Sequence, residues 1–103
     1  MRVLRDEKRP GDRRHLSATL TDEGLRIDGH DLGDGVEAVF GDGIREYEWT
    51  VVVKTADLPA LREELGLSAS VALLDELVRV GATAVDAAVR RVPHEVVWSR
   101  LGD

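Results

Sequence analysis

The sequence lacks cysteine, asparagine and glutamine, and it has two lysines against twelve arginines. Without cysteine there is no disulfide and no thiolate metal site. No apolar run approaches the ~20 residues that a membrane-spanning helix needs. The charged N-terminus also lacks the apolar segment of a signal peptide. We therefore expect a cytoplasmic protein without a membrane partner.

Aromatic residues are scarce as well, and leucine, valine and alanine supply most of the apolar content. The four aromatic residues are Phe40, Tyr47, Trp49 and Trp98. A chain of 103 residues is the size of one domain, and such a domain buries roughly two-thirds of its unfolded surface. We expect an aliphatic core.

The motifs of catalysis and cofactor binding are also absent. There is no G-x-S-x-G, no G-x-G-x-x-G and no phosphate-binding loop, so we expect no cofactor and no catalytic residue. The aspartates of the glycine-rich segment 28–35 do not follow EF-hand spacing. We interpret that segment as a solvated loop and predict no metal. His30, inside it, is the best local candidate for an acid–base group.

Negative charge is concentrated in residues 22–48. This block contains nine acidic residues and two arginines, so its net charge of about −7 exceeds the −6 of the whole chain. Such a charge disfavours nucleic acid and would steer the protein toward a basic partner. A helix–turn–helix around Gly81 is disfavoured too, because its second helix offers few side chains that read bases.

The apolar periodicity predicts an α+β domain, residues 15–103, after a flexible charged arm at residues 1–14. Alternation predicts strands at 15–20, 25–27, 44–53 and 94–99. Helical spacing predicts helices that begin near Leu58, Ser68 and Thr83, the first ending at Gly66. A short helical turn is expected at 36–40. The sheet is therefore expected to be mostly antiparallel, with about four strands and about three helices.

Several segments resemble small, mostly uncharacterised actinobacterial proteins. The resemblance covers nearly the whole chain after residue 15. It is carried by the runs Leu16 to Leu20, Leu25 to Gly33, Glu46 to Trp49 and Ala56 to Leu61, and by the tail Val92 to Asp103. Some proteins of this size act as immunity proteins beside secreted toxins. The resemblance implies a binding role by analogy.

We therefore expect a non-enzymatic acidic binding protein, most concretely an immunity-type inhibitor of a basic toxin protein. The predicted partner-binding residues are Asp28, Asp31, Asp34, Asp42, Glu46, Tyr47, Glu48 and Trp49. One alternative is a homodimeric regulatory or accessory subunit that pairs through an exposed edge strand such as 44–53. Another is a small hydrolase or isomerase that uses His30.

Overall fold

The computed structural model describes residues 1–103 and contains one antiparallel sheet whose five strands lie in chain order. The strands are β1 (Arg2–Arg9), β2 (Asp12–Thr21), β3 (Gly24–Gly33), β4 (Glu46–Lys54) and β5 (Glu95–Gly102). The helices are α1 (Asp34–Phe40), α2 (Leu58–Leu65), α3 (Leu73–Val80) and α4 (Ala82–Arg91). The expected α+β class is confirmed, with one strand and one helix more than predicted. None of the four helices has the length and hydropathy that crossing a lipid bilayer requires.

The helices cover one face of the sheet, which we call the helix face. Alternate strand residues point to it, among them Leu16, Ile27 and Val51, and these pack against helix residues such as Leu61 and Val85. The opposite face, which we call the open face, carries no helix. Neighbouring residues of one strand lie on opposite faces of the sheet.

Residues 1–14, expected as an arm, form β1 and the beginning of β2. Backbone pairing runs from Arg2 opposite Ala18 to Arg9 opposite Asp12. Six of the eight β1 residues are charged, so the strand shows no hydrophobic alternation from which it could be predicted. Charged side chains also tie this edge to the helices, since Arg5 Nη2 donates a hydrogen bond of 2.9 Å to Thr83 Oγ1.

The predicted loop at 28–35 is wrong, because β3 continues to Gly33 and α1 begins at Asp34. Close packing explains the glycines there. Gly29 lies opposite Trp49 on β4, and a Cβ atom on Gly29 would lie 2.0 Å from Trp49 Cζ2. The indole therefore lies against the bare backbone of β3, an arrangement in which an aromatic ring covers a strand glycine.

The helical segment differs from the expectation in one place. Helix α2 ends at Gly66, in the left-handed conformation with φ 69°, as predicted. The next helix was expected to begin at Ser68 but begins at Leu73. The Arg62 guanidinium explains the delay, because its Nη1 donates to the carbonyl oxygens of Ser68 and Val71, each at 3.0 Å. These bonds hold the connection as a loop.

The packing of Trp49 on Gly29 generates a stability prediction. Gly29→Ala is expected to lower the free energy of unfolding by about 1–3 kcal/mol, the usual effect of overfilling a packed site. Denaturant unfolding measures it. Gly102→Ala is the matched control, since its nearest neighbour would be the flexible Glu46 side chain at 3.4 Å. Equal effects of the two substitutions would contradict the prediction.

Candidate functional site

The strand register places five polar side chains in one lateral row across the open face, one from each strand. Asp6 lies opposite His15, His15 opposite His30, His30 opposite Glu48, and Glu48 opposite Arg100. In antiparallel sheets such directly opposed residues have Cβ atoms about 5 Å apart. The row therefore brings together residues that are distant in the sequence.

His30 is the centre of a polar cluster on that face. Its Nε2 lies 3.1 Å from Glu46 Oε2 and 3.3 Å from Glu48 Oε1. Arg100 Nη2 donates to the other oxygen of Glu46, Oε1, at 2.5 Å. The His30 side chain is 40% exposed, so this cluster lies on an open surface and not in a closed catalytic pocket. Its donor set, one imidazole and two carboxylates, is one that could hold a metal ion.

On the helix face, a cavity of about 200 Å³ lies between α1 and the end of the sheet. Its polar lining comes from β2 and β3, and its apolar lining comes mainly from α1 and β4. The lining residues are Asp12, Arg14, Asp31, Gly35, Val36, Val39, Phe40 and Tyr47. We call this the acidic pocket. It combines carboxylates with an aromatic wall, whereas the His30 cluster has no apolar wall.

Asp31 is the least well paired carboxylate of the acidic pocket. Its side chain is only 17% exposed, and its contact with Arg14 Nε measures 3.8 Å, which is beyond hydrogen-bond range. Asp12, by contrast, accepts a hydrogen bond of 3.2 Å from the Gly35 backbone N–H. Burial raises the pKa of the Asp31 carboxyl, and the positive charges of Arg14 and then Arg5 partly oppose this shift.

A column of aromatic rings forms the wall of the acidic pocket and continues into the core. The Phe40 and Tyr47 ring centroids are 4.9 Å apart, and those of Tyr47 and Trp49 are 4.8 Å apart with nearly parallel planes. Phe40 is 42% exposed, whereas Trp49 is 8% exposed. The exposed end of the column therefore lies beside the carboxylates, and its buried end anchors it.

The structure distributes the predicted partner-binding residues over both sides of the sheet. Asp28, Glu46 and Glu48 lie on the open face, while Asp31, Tyr47 and Trp49 lie on the helix face. The remaining two are in other elements: Asp34 begins α1 and Asp42 lies in the exposed connection to β4. Trp49 belongs to the core, which leaves it little surface to offer a partner. The four aspartates among them do not form a cluster that could hold a metal ion.

Much of the charge of the acidic block is locally compensated. Arg45 contacts Asp34 Oδ1 at 3.1 Å and Glu37 Oε2 at 3.4 Å, and these hydrogen bonds raise the pKa of its guanidinium above the ordinary value. Asp28 is bound by Arg26 Nε at 3.0 Å and accepts a 2.6 Å hydrogen bond from Thr50 Oγ1. Most carboxylates of the block therefore have a basic partner, whereas Asp22, Glu23 and Asp42 have no ion pair, and Asp31 stands out as a shielded carboxylate with a loose contact.

Sequence reasoning missed Asp12, Arg14 and Phe40 as site residues, because the first two lie in the segment interpreted as an arm. It also missed that Arg100 would reach Glu46. The sequence offered no hydrophobic alternation there, since residues 12–15 are Asp-Arg-Arg-His.

Comparisons with known proteins do not add to this picture: no protein-family model, no curated protein and no solved structure matches the chain. The resemblance to actinobacterial proteins therefore remains an expectation.

The environment of Asp31 generates a prediction about stability and pH. A carboxyl whose pKa is raised by folding binds more protons when folded, so its ionisation lowers the free energy of unfolding as the pH rises past the ordinary aspartate range. Asp31→Asn is therefore expected to stabilise the protein near neutral pH and to lose that advantage in acid. Urea unfolding at the two pH values measures this.

The control is Asp34→Asn. Its carboxylate is 70% exposed and bonded to Arg45, so this substitution is not expected to stabilise at either pH. A loss of stability for Asp31→Asn at neutral pH would show that the Arg14 contact outweighs the effect of burial.

Proposed function

We propose that the protein is a non-enzymatic binding protein for a basic partner protein, most concretely an immunity-type inhibitor of a basic toxin. The observation that carries the proposal is the acidic pocket. It holds a mostly buried carboxylate, Asp31, without a close counter-ion, beside an exposed aromatic ring, Phe40. Keeping such a carboxylate costs stability, and sites of this kind are frequently functional.

The size of the acidic pocket favours a single side chain as its occupant. Small-molecule sites usually have volumes of roughly 300–1,000 Å³, and this cavity measures about 200 Å³. An enzyme substrate or cofactor of ordinary size would remain largely outside it. A side chain projecting from the surface of a partner protein would fit.

The chemistry of the pocket selects a lysine or arginine side chain. The aliphatic stem of such a residue would pack on Val39 and Phe40, and its charged end would reach Asp31. The contact between Arg14 and Asp31 is loose, at 3.8 Å. Replacing it with a closer cation from a partner would therefore cost little free energy.

A direct test uses N-acetyl-arginine amide as the probe, with N-acetyl-glutamine amide as the neutral comparison. In NMR titrations we expect the arginine probe to shift the signals of Gly35, Asp31 and Tyr47 with a dissociation constant on the order of millimolar, as for a weak ligand. The glutamine probe is not expected to do so. Equal shifts with both probes, or shifts spread over the whole surface, would contradict the proposal.

A second experiment identifies the partner. A tagged pull-down from source-cell lysate at low and high salt is followed by binding measurements on the protein recovered. The double variant Asp31→Asn with Phe40→Ala is expected to lose more than about tenfold in affinity, the scale of a binding hot spot. Glu63→Gln with Val78→Ala, which removes the same charge and an exposed apolar side chain elsewhere, is the control. Equal affinities of the two variants would exclude the acidic pocket as the partner-binding site.

A homodimeric accessory subunit is the second candidate, because β5 is an exposed apolar edge. Val96, Val97, Trp98 and Leu101 are all exposed on it, whereas β1, the other edge, is protected by charges of the kind that prevent edge pairing. The edge proposed from the sequence, 44–53, is wrong, since β4 pairs with both β3 and β5. Antiparallel pairing of two β5 strands can place Glu95 of one copy opposite Arg100 of the other.

Sedimentation equilibrium tests the dimer. A mass twice that of the chain, reduced to the monomer mass by Val97→Lys but not by Val78→Lys on α3, would support pairing through β5. A monomer mass for the unmodified protein over the whole concentration range would exclude it.

A further inference from the structure

We propose that His30, Glu46 and Glu48 form a binding site for a divalent transition metal ion, with zinc as the favoured ion. One ligand atom from each residue, His30 Nε2 and a carboxylate oxygen of each glutamate, lies within 4.8 Å of the other two. This site lies on the open face, on the opposite side of the sheet from the acidic pocket. It is therefore independent of the proposed partner-binding function.

The spacing of the ligand atoms suits a tetrahedral zinc ion. Zinc binds imidazole nitrogen and carboxylate oxygen at about 2.0–2.2 Å, so two ligands of a tetrahedral ion lie about 3.3–3.5 Å apart. His30 Nε2 lies 3.1 Å from Glu46 Oε2 and 3.3 Å from Glu48 Oε1. The two glutamate oxygens lie within 4.8 Å of each other, so rotation of the glutamate side chains would let all three atoms contact one ion.

A hydrogen bond from His30 cannot satisfy both glutamates well. His30 Nε2 carries at most one proton, and it faces two carboxylate oxygens at similar distances. One N–H cannot point at both oxygens with good geometry. A metal ion takes an electron pair from each of the three atoms and at the same time relieves the repulsion between the two glutamates.

The sheet holds the three ligands in place. His30 and Glu48 are directly opposed across β3 and β4, and Glu46 follows two residues away on the same face of β4, where alternation places it. Arg100 binds the Glu46 oxygen that faces away from His30, at 2.5 Å. Such a partner fixes the orientation of a carboxylate ligand and leaves its other oxygen available.

The ligand types determine the class of ion. Calcium and magnesium prefer an all-oxygen environment with six or more ligands, whereas an imidazole with two carboxylates suits zinc and its transition-metal neighbours. Three protein ligands leave a fourth zinc position for water or a group from outside. The site is expected to bind zinc in preference to calcium and magnesium.

The test is isothermal titration calorimetry on the untagged protein, stripped of metal with a chelator, using zinc chloride, calcium chloride and magnesium chloride in turn. We expect one zinc ion per chain, with calcium and magnesium at least tenfold weaker, and a rise in the thermal unfolding midpoint with zinc because the ion binds the folded chain. His30→Gln and Glu48→Gln are each expected to weaken zinc binding by more than about tenfold. Replacing a residue that only orients a metal ligand already costs about tenfold or more in affinity, so the loss of a ligand itself is expected to cost at least as much.

The matched control is His94→Gln with Glu95→Gln, which removes one imidazole and one carboxylate from the surface outside this cluster. It is expected to keep full zinc affinity, and circular dichroism establishes that all variants are folded. The proposal is overturned if zinc produces no saturable binding, if His30→Gln binds zinc as the unmodified protein does, or if the three ions bind alike, as they would to exposed carboxylates in general.

Discussion

The packing of the Trp49 indole on the bare backbone of Gly29 is the contact on which both candidate sites depend. It fixes the register of β3 against β4, because only a glycine allows the ring to lie so close to the strand. The same register opposes Asp31 with Tyr47 on the helix face and His30 with Glu48 on the open face. A slip of one residue would move every one of these side chains to the other side of the sheet.

This contact also shows why the fold was more predictable than the site. The aliphatic strands and the capping glycine of α2 follow local rules, so Leu16, Ile27 and Gly66 were placed correctly from the sequence. Gly29 and its neighbouring aspartates have the composition of a loop, and only an aromatic residue about twenty positions further along the chain makes them a strand. Information of that kind is tertiary, and local propensity cannot supply it.

A concentration of acidic residues in the sequence does not produce one negative surface in this protein. Nine acidic residues within 22–48 suggest one negative surface, yet strand alternation sends neighbours such as His30 and Asp31 to opposite faces. Arginines that the sequence places far away, including Arg100, then meet some of the carboxylates. What distinguishes a carboxylate in this protein is therefore its local pairing and burial, and not its membership of the block.

Both sites retain features that a purely structural sheet would avoid. Asp31 is held mostly out of water with a loose counter-ion, and two glutamates are held within reach of one histidine. Natural proteins tolerate such local conflicts mainly where a ligand or partner resolves them. Because the two conflicts lie on opposite faces of the same strand pair, the register of β3 against β4 positions both sites. A change that loosens the Trp49 contact would therefore disturb both sites together, while a change in either set of side chains would disturb only one.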